Sequence, residues 1–205
     1  MTQTLETWEG FHKPGRQRVL PGTKEEDSFA WSYDMASSNN QLYLQTLLRA
    51  KRFDIDVLLE QPQQMDELTW LYEHMRQICI ELGLYISVVH RECTEKQCPI
   101  MRAQDTTYYC AGHGSPRPCS AIGYAVHTLD YAVKQLSQGD TSLKHFQSMV
   151  RRLYRIFAHV YFHHRQVFET QETATYLYAR FVRLARKYEL APESQIIIPE
   201  LPTTV

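Results

Sequence analysis

The segment RRLYRIFAHVYFHHRQVF, residues 151–168, is the part of the chain that decides the fold. It belongs to a longer stretch, residues 141–168, in which apolar residues recur three or four positions apart, as on one face of a helix. These apolar residues are Leu143, Phe146, Val150, Leu153, Phe157, Val160 and Val167. The stretch also carries clustered arginines and histidines. One predicted helix therefore supplies a core face and two groups of candidate functional side chains.

The histidines of this segment, His159, His163 and His164, are candidate metal ligands. Two thiols, Cys93 and Cys98, lie earlier in the chain, in the stretch RECTEKQCPIM. A Cys-x4-Cys pair joined to a His-x3-His or His-x4-His pair is close to the spacings of structural zinc sites. Because the two pairs are far apart in sequence, the metal is predicted to tie an irregular insert to a core helix.

Helical geometry leaves the second histidine ligand open. His159 and His163 are i and i+4, so they share one face of an undistorted helix. His159 and His164 are i and i+5, about 140° apart around the axis, and would need a distorted turn. Geometry alone therefore favours His163.

The ligand set predicts a structural metal and no enzyme. In HVYFH, Val160 stands where the metalloprotease signature needs a glutamate. The His-x-Glu motif of zinc deaminases is missing, as are phosphate-binding glycine loops and a nucleophile elbow. Two cysteines and two histidines leave no coordination position for a water molecule.

Cys110, His113 and Cys119 are further candidate ligands in a turn-rich segment. A rival site, or a second metal ion, is the alternative to our interpretation of them as the core of a small hairpin. Cys79 stands between two isoleucines in a predicted helix, which indicates a small buried hydrophobic residue.

Arg151, Arg152 and Arg155 precede the histidines on the same helix. Arg151 and Arg155 share a face at i and i+4, and Arg152 lies about 100° further round. Guanidinium groups grouped in this way suit bidentate binding of phosphate, as in a phosphoserine or phosphothreonine peptide. Composition alone favours the plainer alternative, a solvated helix face or intramolecular salt bridges.

Composition indicates one globular domain preceded by a polar arm. The 205 residues are 43% hydrophobic and 22% charged, which is enough for a sizeable core. A net charge of −1 gives no general reason to expect nucleic acid or an anionic membrane as partner. Five cysteines without an export signal or a membrane-spanning run favour a cytoplasmic protein with reduced thiols. Two Pro-Gly pairs mark residues 1–22 as a flexible arm before a domain at 23–205.

Four further helices are predicted from apolar spacing and capping residues. They span residues 37–52, 66–83, 120–138 and 173–190. The stretches LYISVVH, residues 84–90, and TTYYCAG, residues 106–112, are β-branched and aromatic and predict short strands. We therefore expect an all-α helical bundle with a small β-hairpin or irregular insert, which carries the cysteine pair.

Five segments, taken in order, resemble the Mob family, and within it the phocein branch. They are LPGTKEEDSFAW, WLYEHMRQICIEL, ECTEKQCPIM, SAIGYAVHTLDYA and RRLYRIFAHVYFHHRQVF. The resemblance implies a Mob-type helical bundle with one structural zinc ion. Its implied ligands are Cys93, Cys98, His159 and His164, so the family pattern selects the histidine that simple helical geometry did not.

The resemblance also implies a function and a set of partners. Mob proteins similar to this chain are non-catalytic adaptors that bind kinases and phosphorylated peptides, the latter through a basic cluster matching Arg151, Arg152 and Arg155. Phocein-like members are expected in an assembly where a striatin-type scaffold joins the phosphatase 2A core to germinal-centre (Ste20-like) kinases. Association with Golgi or endocytic membranes would then be peripheral and mediated by partners.

The alternative function is direct coactivation of an AGC-type, nuclear Dbf2-related kinase. Mob members of that kind present acidic residues on the first helix. Here SSNNQLYLQTLLRAKR is neutral to basic. This departure favours the adaptor.

Overall fold

The computed structural model describes residues 37–139 and 142–201 and shows a helical bundle with a small two-stranded sheet. The helices are α1 (Ser37–Lys51), α2 (Ile55–Leu59), α3 (Glu67–Val89), α4 (Ala121–Ser137), α5 (Leu143–His163), α6 (Arg165–Thr175) and α7 (Leu177–Lys187). The strands are β1 (Arg102–Ala103) and β2 (Thr106–Thr107), and a 3-10 turn covers Glu193–Gln195. The expectation of a mostly helical fold is confirmed. The predicted arm, residues 1–22, lies outside the described residues.

Helix α3 is the element around which the others pack, since it contacts α1, α4, α5, α6 and α7. The Asp66 carboxylate accepts the Thr69 N–H at 2.9 Å and caps its start, as predicted. Apolar residues recur at helical spacing along one of its faces, where Leu71, Met75, Ile78 and Leu82 are fully buried. This stripe is one wall of the main core.

The prediction that α3 stops at Gly83 and gives way to a strand is wrong. The helix continues through LYISVV to Val89, because Tyr85, Ile86 and Val89 extend the same buried stripe. The Cα of Gly83 faces α4, and a Cβ there would lie 3.6 Å from Leu129. Packing between α3 and α4 therefore overrides the local preference of glycine for a helix end.

The prediction of one unbroken helix through residue 168 is also wrong. Helix α5 ends at His163, and His164 has φ −138° and ψ 52°, outside the helical region, before α6 begins. Nothing in the sequence marks this break, since no glycine or proline is nearby. The break matters for the site described below.

The insert between α3 and α4 is held by a few backbone hydrogen bonds. Strands β1 and β2 pair antiparallel, with Arg102 opposite Thr107, so the strand predicted from TTYYCAG is confirmed for its first two residues. The Met101 N–H donates to the Cys119 carbonyl at 2.8 Å, and the Ala121 N–H donates to the Cys98 carbonyl at 2.9 Å. The insert is thereby fastened to the start of α4, and β1 packs against α5. None of the described helices combines the length and apolarity needed to cross a membrane.

His74 of α3 is a buried titratable group in this bundle. It is 1% exposed, and its ring meets the Trp70 ring edge-on at 4.5 Å. Burial lowers the pKa of His74 to about 3, and the positive charges of Arg180 and Lys187 act in the same direction. The folded state therefore keeps this imidazole neutral, whereas the unfolded chain takes up a proton near the ordinary value of 6.5.

We expect acid to destabilise the fold through His74. Below pH 6.5 the unfolded state binds more protons than the folded state, so stability present above that pH is lost as the pH falls. Urea unfolding at pH 7.5 and 5.5 should show wild type losing about 1 kcal/mol more than the His74→Phe variant. The same loss in both proteins would contradict the assignment.

Candidate metal centre and arginine cleft

The two cysteines of the predicted site are presented by a hydrogen-bonded loop at the end of α3. The Cys93 N–H donates to the Val89 carbonyl, and the Cys98 N–H to the Thr94 carbonyl, both at 2.8 Å. The Thr94 hydroxyl accepts the Gln97 N–H at 3.3 Å, which closes the loop between the two thiols. Cys93 is buried and Cys98 is half-buried.

The two histidines reach the same place from α5 and from its broken end. His159 is buried one turn before the end of α5, and His164 is the residue at which the helix breaks. The His164 N–H still donates to the Val160 carbonyl at 2.8 Å, but its ψ turns the chain out of the helix. This is the distorted turn that an i, i+5 pair requires.

The four side chains converge on one point. The ligand atoms of Cys93, Cys98, His159 and His164 all lie within 4.8 Å of one another. The Cys93 Sγ is 3.4 Å from His159 Nε2, and the Cys98 Sγ is 3.2 Å from His164 Nε2. Tetrahedral zinc, with bonds of about 2.0–2.3 Å, places ligand atoms about 3.3–3.8 Å apart. The spacing therefore suits such an ion.

His163, the residue that helical geometry favoured, is not in this group. Its ring lies 4.8 Å from that of His159, but the side chain is exposed. The preference for His163 assumed an undistorted helix as far as residue 164. Because the helix ends before His164, this assumption does not hold.

In the absence of a metal ion, Cys93 and His159 are both neutral side chains. Burial, and then the neighbouring Cys98 thiol, raise the pKa of Cys93 to about 12. Burial lowers the pKa of His159 to about 4, so this imidazole is neutral. Its Nδ1–H donates to the Arg102 carbonyl at 2.7 Å, which leaves the Nε2 lone pair facing the thiols. Two cysteines and two neutral imidazoles are a donor set that suits a tetrahedral metal ion of the zinc type, and β1 orients the His159 ring.

The three predicted phosphate-binding arginines lie in two environments. Arg152 and Arg155 line a cleft of about 170 Å³ between α4, α5 and the insert. The Arg152 guanidinium lies 4.7 Å from the centre of the Tyr131 ring, and the Arg155 Nη1 donates to the Tyr124 hydroxyl at 3.0 Å. Arg151 is exposed, donates to the Gln147 carbonyl at 3.1 Å and is not among the cleft residues.

The remaining cysteines separate into two kinds. Cys79 is buried in the core, and burial raises its pKa to about 12, as expected for a small hydrophobic residue. Cys110, His113 and Cys119 lie together, and the structure adds His127 of α4 to them. His127 is not among the ligands predicted from the sequence. The spacing Cys-x2-His-x5-Cys-x7-His is the signal that would have included it.

Comparison with known proteins gives consistent matches along the chain. The sequence model of the Mob1/phocein family matches residues 46–199. The MOB-like protein phocein of Caenorhabditis elegans is 38% identical over an alignment of 202 residues that covers 91% of this chain and 91% of its own. The MOB kinase activator-like 4 of Drosophila melanogaster is 35% identical over an alignment of 199 residues that covers 89% of this chain and 89% of its own. Human MOB kinase activator 2 is 25% identical over 186 residues, covering 81% of this chain and 78% of its own length.

Proposed function

The chain belongs to the Mob1/phocein family, and from this we propose that it is a non-catalytic adaptor of a phosphatase and kinase signalling assembly. The observation that carries the proposal is the similarity to a phocein over nearly the whole chain. The proposed partners are a striatin-type scaffold, the phosphatase 2A core and germinal-centre kinases. Its place of action would be the cytoplasm, with contact to Golgi or endocytic membranes only through partners.

One structural zinc ion would stabilise the fold of the adaptor. The proposed ligands are Cys93, Cys98, His159 and His164, whose spacing and neutral imidazoles support the assignment. When bound, the ion would supply a cross-link between the loop after α3 and the end of α5. All four positions of a tetrahedron are then taken by protein atoms, which supports a role in the fold and not in chemistry.

Affinity purification tests the adaptor directly. A tagged full-length chain recovered from its own cells should bring down a striatin-type scaffold together with phosphatase 2A subunits, as identified by quantitative mass spectrometry. The matched control is the same tag on a Mob protein of the kinase-activator type. Recovery of no striatin-type scaffold, or equal recovery with the control, would overturn the proposal.

The arginine cleft is the proposed surface for a phosphorylated peptide. Its described lining contains two guanidinium groups and no carboxylate, so its field favours an anion. The Tyr124 hydroxyl takes one of the five N–H donors of Arg155, and the Tyr108 ring lies 4.7 Å from its guanidinium carbon. Arg155 is thereby held in place at the cleft. Arg151 would add positive charge from the neighbouring exposed face.

We expect Arg155→Lys to weaken binding of a phosphothreonine peptide by about tenfold. Lysine keeps the charge but loses the planar fork that contacts two phosphate oxygens at once. Arg151→Lys is the matched control and should change the affinity little, because only its charge is proposed to act. Fluorescence anisotropy with phosphorylated and unphosphorylated peptides measures both. Equal weakening by the two variants, or equal binding of the two peptides, would show that the cleft does not recognise the phosphate group.

A second candidate function is direct coactivation of an AGC-type kinase. The match to a MOB kinase activator 2 favours it, at lower identity. Against it, α1 carries no carboxylate and ends on Arg49 and Lys51. Adding the purified chain to a nuclear Dbf2-related kinase and its peptide substrate decides the matter. Several-fold activation would favour the coactivator, and unchanged activity would exclude it.

A further inference from the structure

A second group of two cysteines and two histidines lies in the insert and on α4, separate from the Cys93 site. It consists of Cys110, His113, Cys119 and His127, whose ligand atoms all lie within 4.8 Å of one another. We propose that this cluster binds a second structural metal ion, a divalent cation of the zinc type.

The distances inside the cluster fit one small ion. His113 Nε2 is 2.8 Å from Cys119 Sγ, and His127 Nδ1 is 3.5 Å from Cys110 Sγ and 3.9 Å from Cys119 Sγ. These separations bracket the roughly 3.3–3.8 Å that a tetrahedral zinc ion imposes on its ligand atoms. The two imidazole rings meet edge to face at 4.8 Å, so they are not stacked on each other.

The backbone around Cys110 holds its thiol toward the cluster. Cys110 and Arg117 exchange backbone hydrogen bonds of 2.8 and 3.2 Å, which fixes the neck of the loop that carries His113. The Gly112 N–H points at the Cys110 Sγ, 3.4 Å away. A backbone N–H donated to sulfur stabilises a thiolate, which is the form that binds metal.

At Gly112 the loop approaches α4 more closely than a residue with a side chain would allow. A Cβ built on Gly112 would lie 2.8 Å from the Cβ of His127. Glycine at this position therefore lets the loop backbone lie directly against the helix at the ligand itself. Cys119, just before the Ser120 cap of α4, supplies the remaining thiol.

The donor set selects the class of ion. Two sulfur and two imidazole nitrogen atoms, with no carboxylate among them, suit zinc and are a poor match for calcium or magnesium. All five cysteines of the chain are free thiols, so a disulfide does not account for the arrangement. Core packing accounts for Cys110, which is 1% exposed, but it gives no reason for the two half-buried histidines beside it.

A second ion would cross-link the other end of the insert to the helical bundle. The first proposed ion ties the Cys93 loop to α5, and this one ties the Cys110 loop to α4. Ala111, Gly112 and His127 also line the arginine cleft, so the ion would fix one wall of it. That last consequence rests on the proposed peptide-binding function, whereas the metal site does not.

Metal content of the purified full-length chain tests the proposal. Elemental analysis against protein concentration should give two zinc ions per wild-type chain and one in Cys119→Ser. Cys79→Ala removes a cysteine outside both clusters and should retain two ions. His127→Gln is the second variant and should also retain one.

Two zinc ions per wild-type chain would support the proposal even if the variants do not fold. One ion per wild-type chain that is retained in Cys119→Ser and lost in His164→Ala would overturn the proposal, as would two ions retained in both Cys119→Ser and His127→Gln. A Cys110–Cys119 disulfide found by peptide mapping without reductant would overturn it as well. His164→Ala reports on the first site, so the two sites are distinguished.

Discussion

His164→Ala is expected to release the ion of the first site and to lower the free energy of unfolding by several kcal/mol. The reason is that the binding energy of a structural zinc ion is folding energy, of order 10 kcal/mol in small zinc peptides. Denaturant unfolding, with zinc content measured on the same samples, gives both quantities.

His163→Ala is the matched control, because it removes the same imidazole one residue earlier. His163 is exposed, and its ring is not among the converging ligand atoms. We expect a loss below about 1 kcal/mol and no change in zinc content. Equal losses in both variants, or a larger loss in His163→Ala, would show that the ligands are wrongly assigned.

Arg180→Met is expected to lower the free energy of unfolding by about 3 kcal/mol. Arg180 of α7 is 2% exposed, and its Nη2 lies 2.7 Å from Glu81 Oε1 of α3. It also faces Glu172, whose carboxylate accepts the N–H groups of Tyr178 and Ala179 at the start of α7. Removing the guanidinium leaves two shielded carboxylates without their cation.

The control for this prediction is Arg183→Met, on the same helix. Arg183 makes an ion pair of nearly the same length, 2.8 Å to Asp56, but both side chains are largely exposed, at 58% and 77%. An exposed pair contributes less than about 1 kcal/mol. Urea titrations of the two variants should therefore differ clearly in midpoint at similar slope. Equal midpoints would show that burial of Arg180 does not increase the contribution of its ion pair to the free energy of unfolding.

Much of the helical bundle could be predicted from local patterns. The Asp66 and Ser120 caps and the apolar stripe of α5 were visible in the sequence, because each depends on residues within a few positions. The continuation of α3 past Gly83 was not visible. It depends on Leu129, which lies 46 residues further along the chain and packs against that glycine only in the folded bundle.

The candidate site was predictable in composition but not in geometry. The spacing of Cys93 and Cys98 and the histidines at the end of α5 indicated a two-cysteine, two-histidine set. The position of His164 depends on a helix break that no glycine or proline announces, so helical periodicity pointed to His163, which lies outside the converging ligand atoms. The resemblance to Mob proteins supplied His164 instead. His127 was missed because its partners are two cysteines and a histidine of the loop, not a neighbour on its own helix.

The claim on which the rest of the account depends is that Cys93, Cys98, His159 and His164 enclose a zinc ion. Anomalous diffraction from crystals of the purified chain, collected on both sides of the zinc absorption edge, tests it directly. The expected result is a peak about 2.3 Å from each of the two Sγ atoms and about 2.0–2.1 Å from the Nε2 atoms of His159 and His164. A map with no zinc peak among these atoms, or a zinc ion with water in place of His164, would contradict the account.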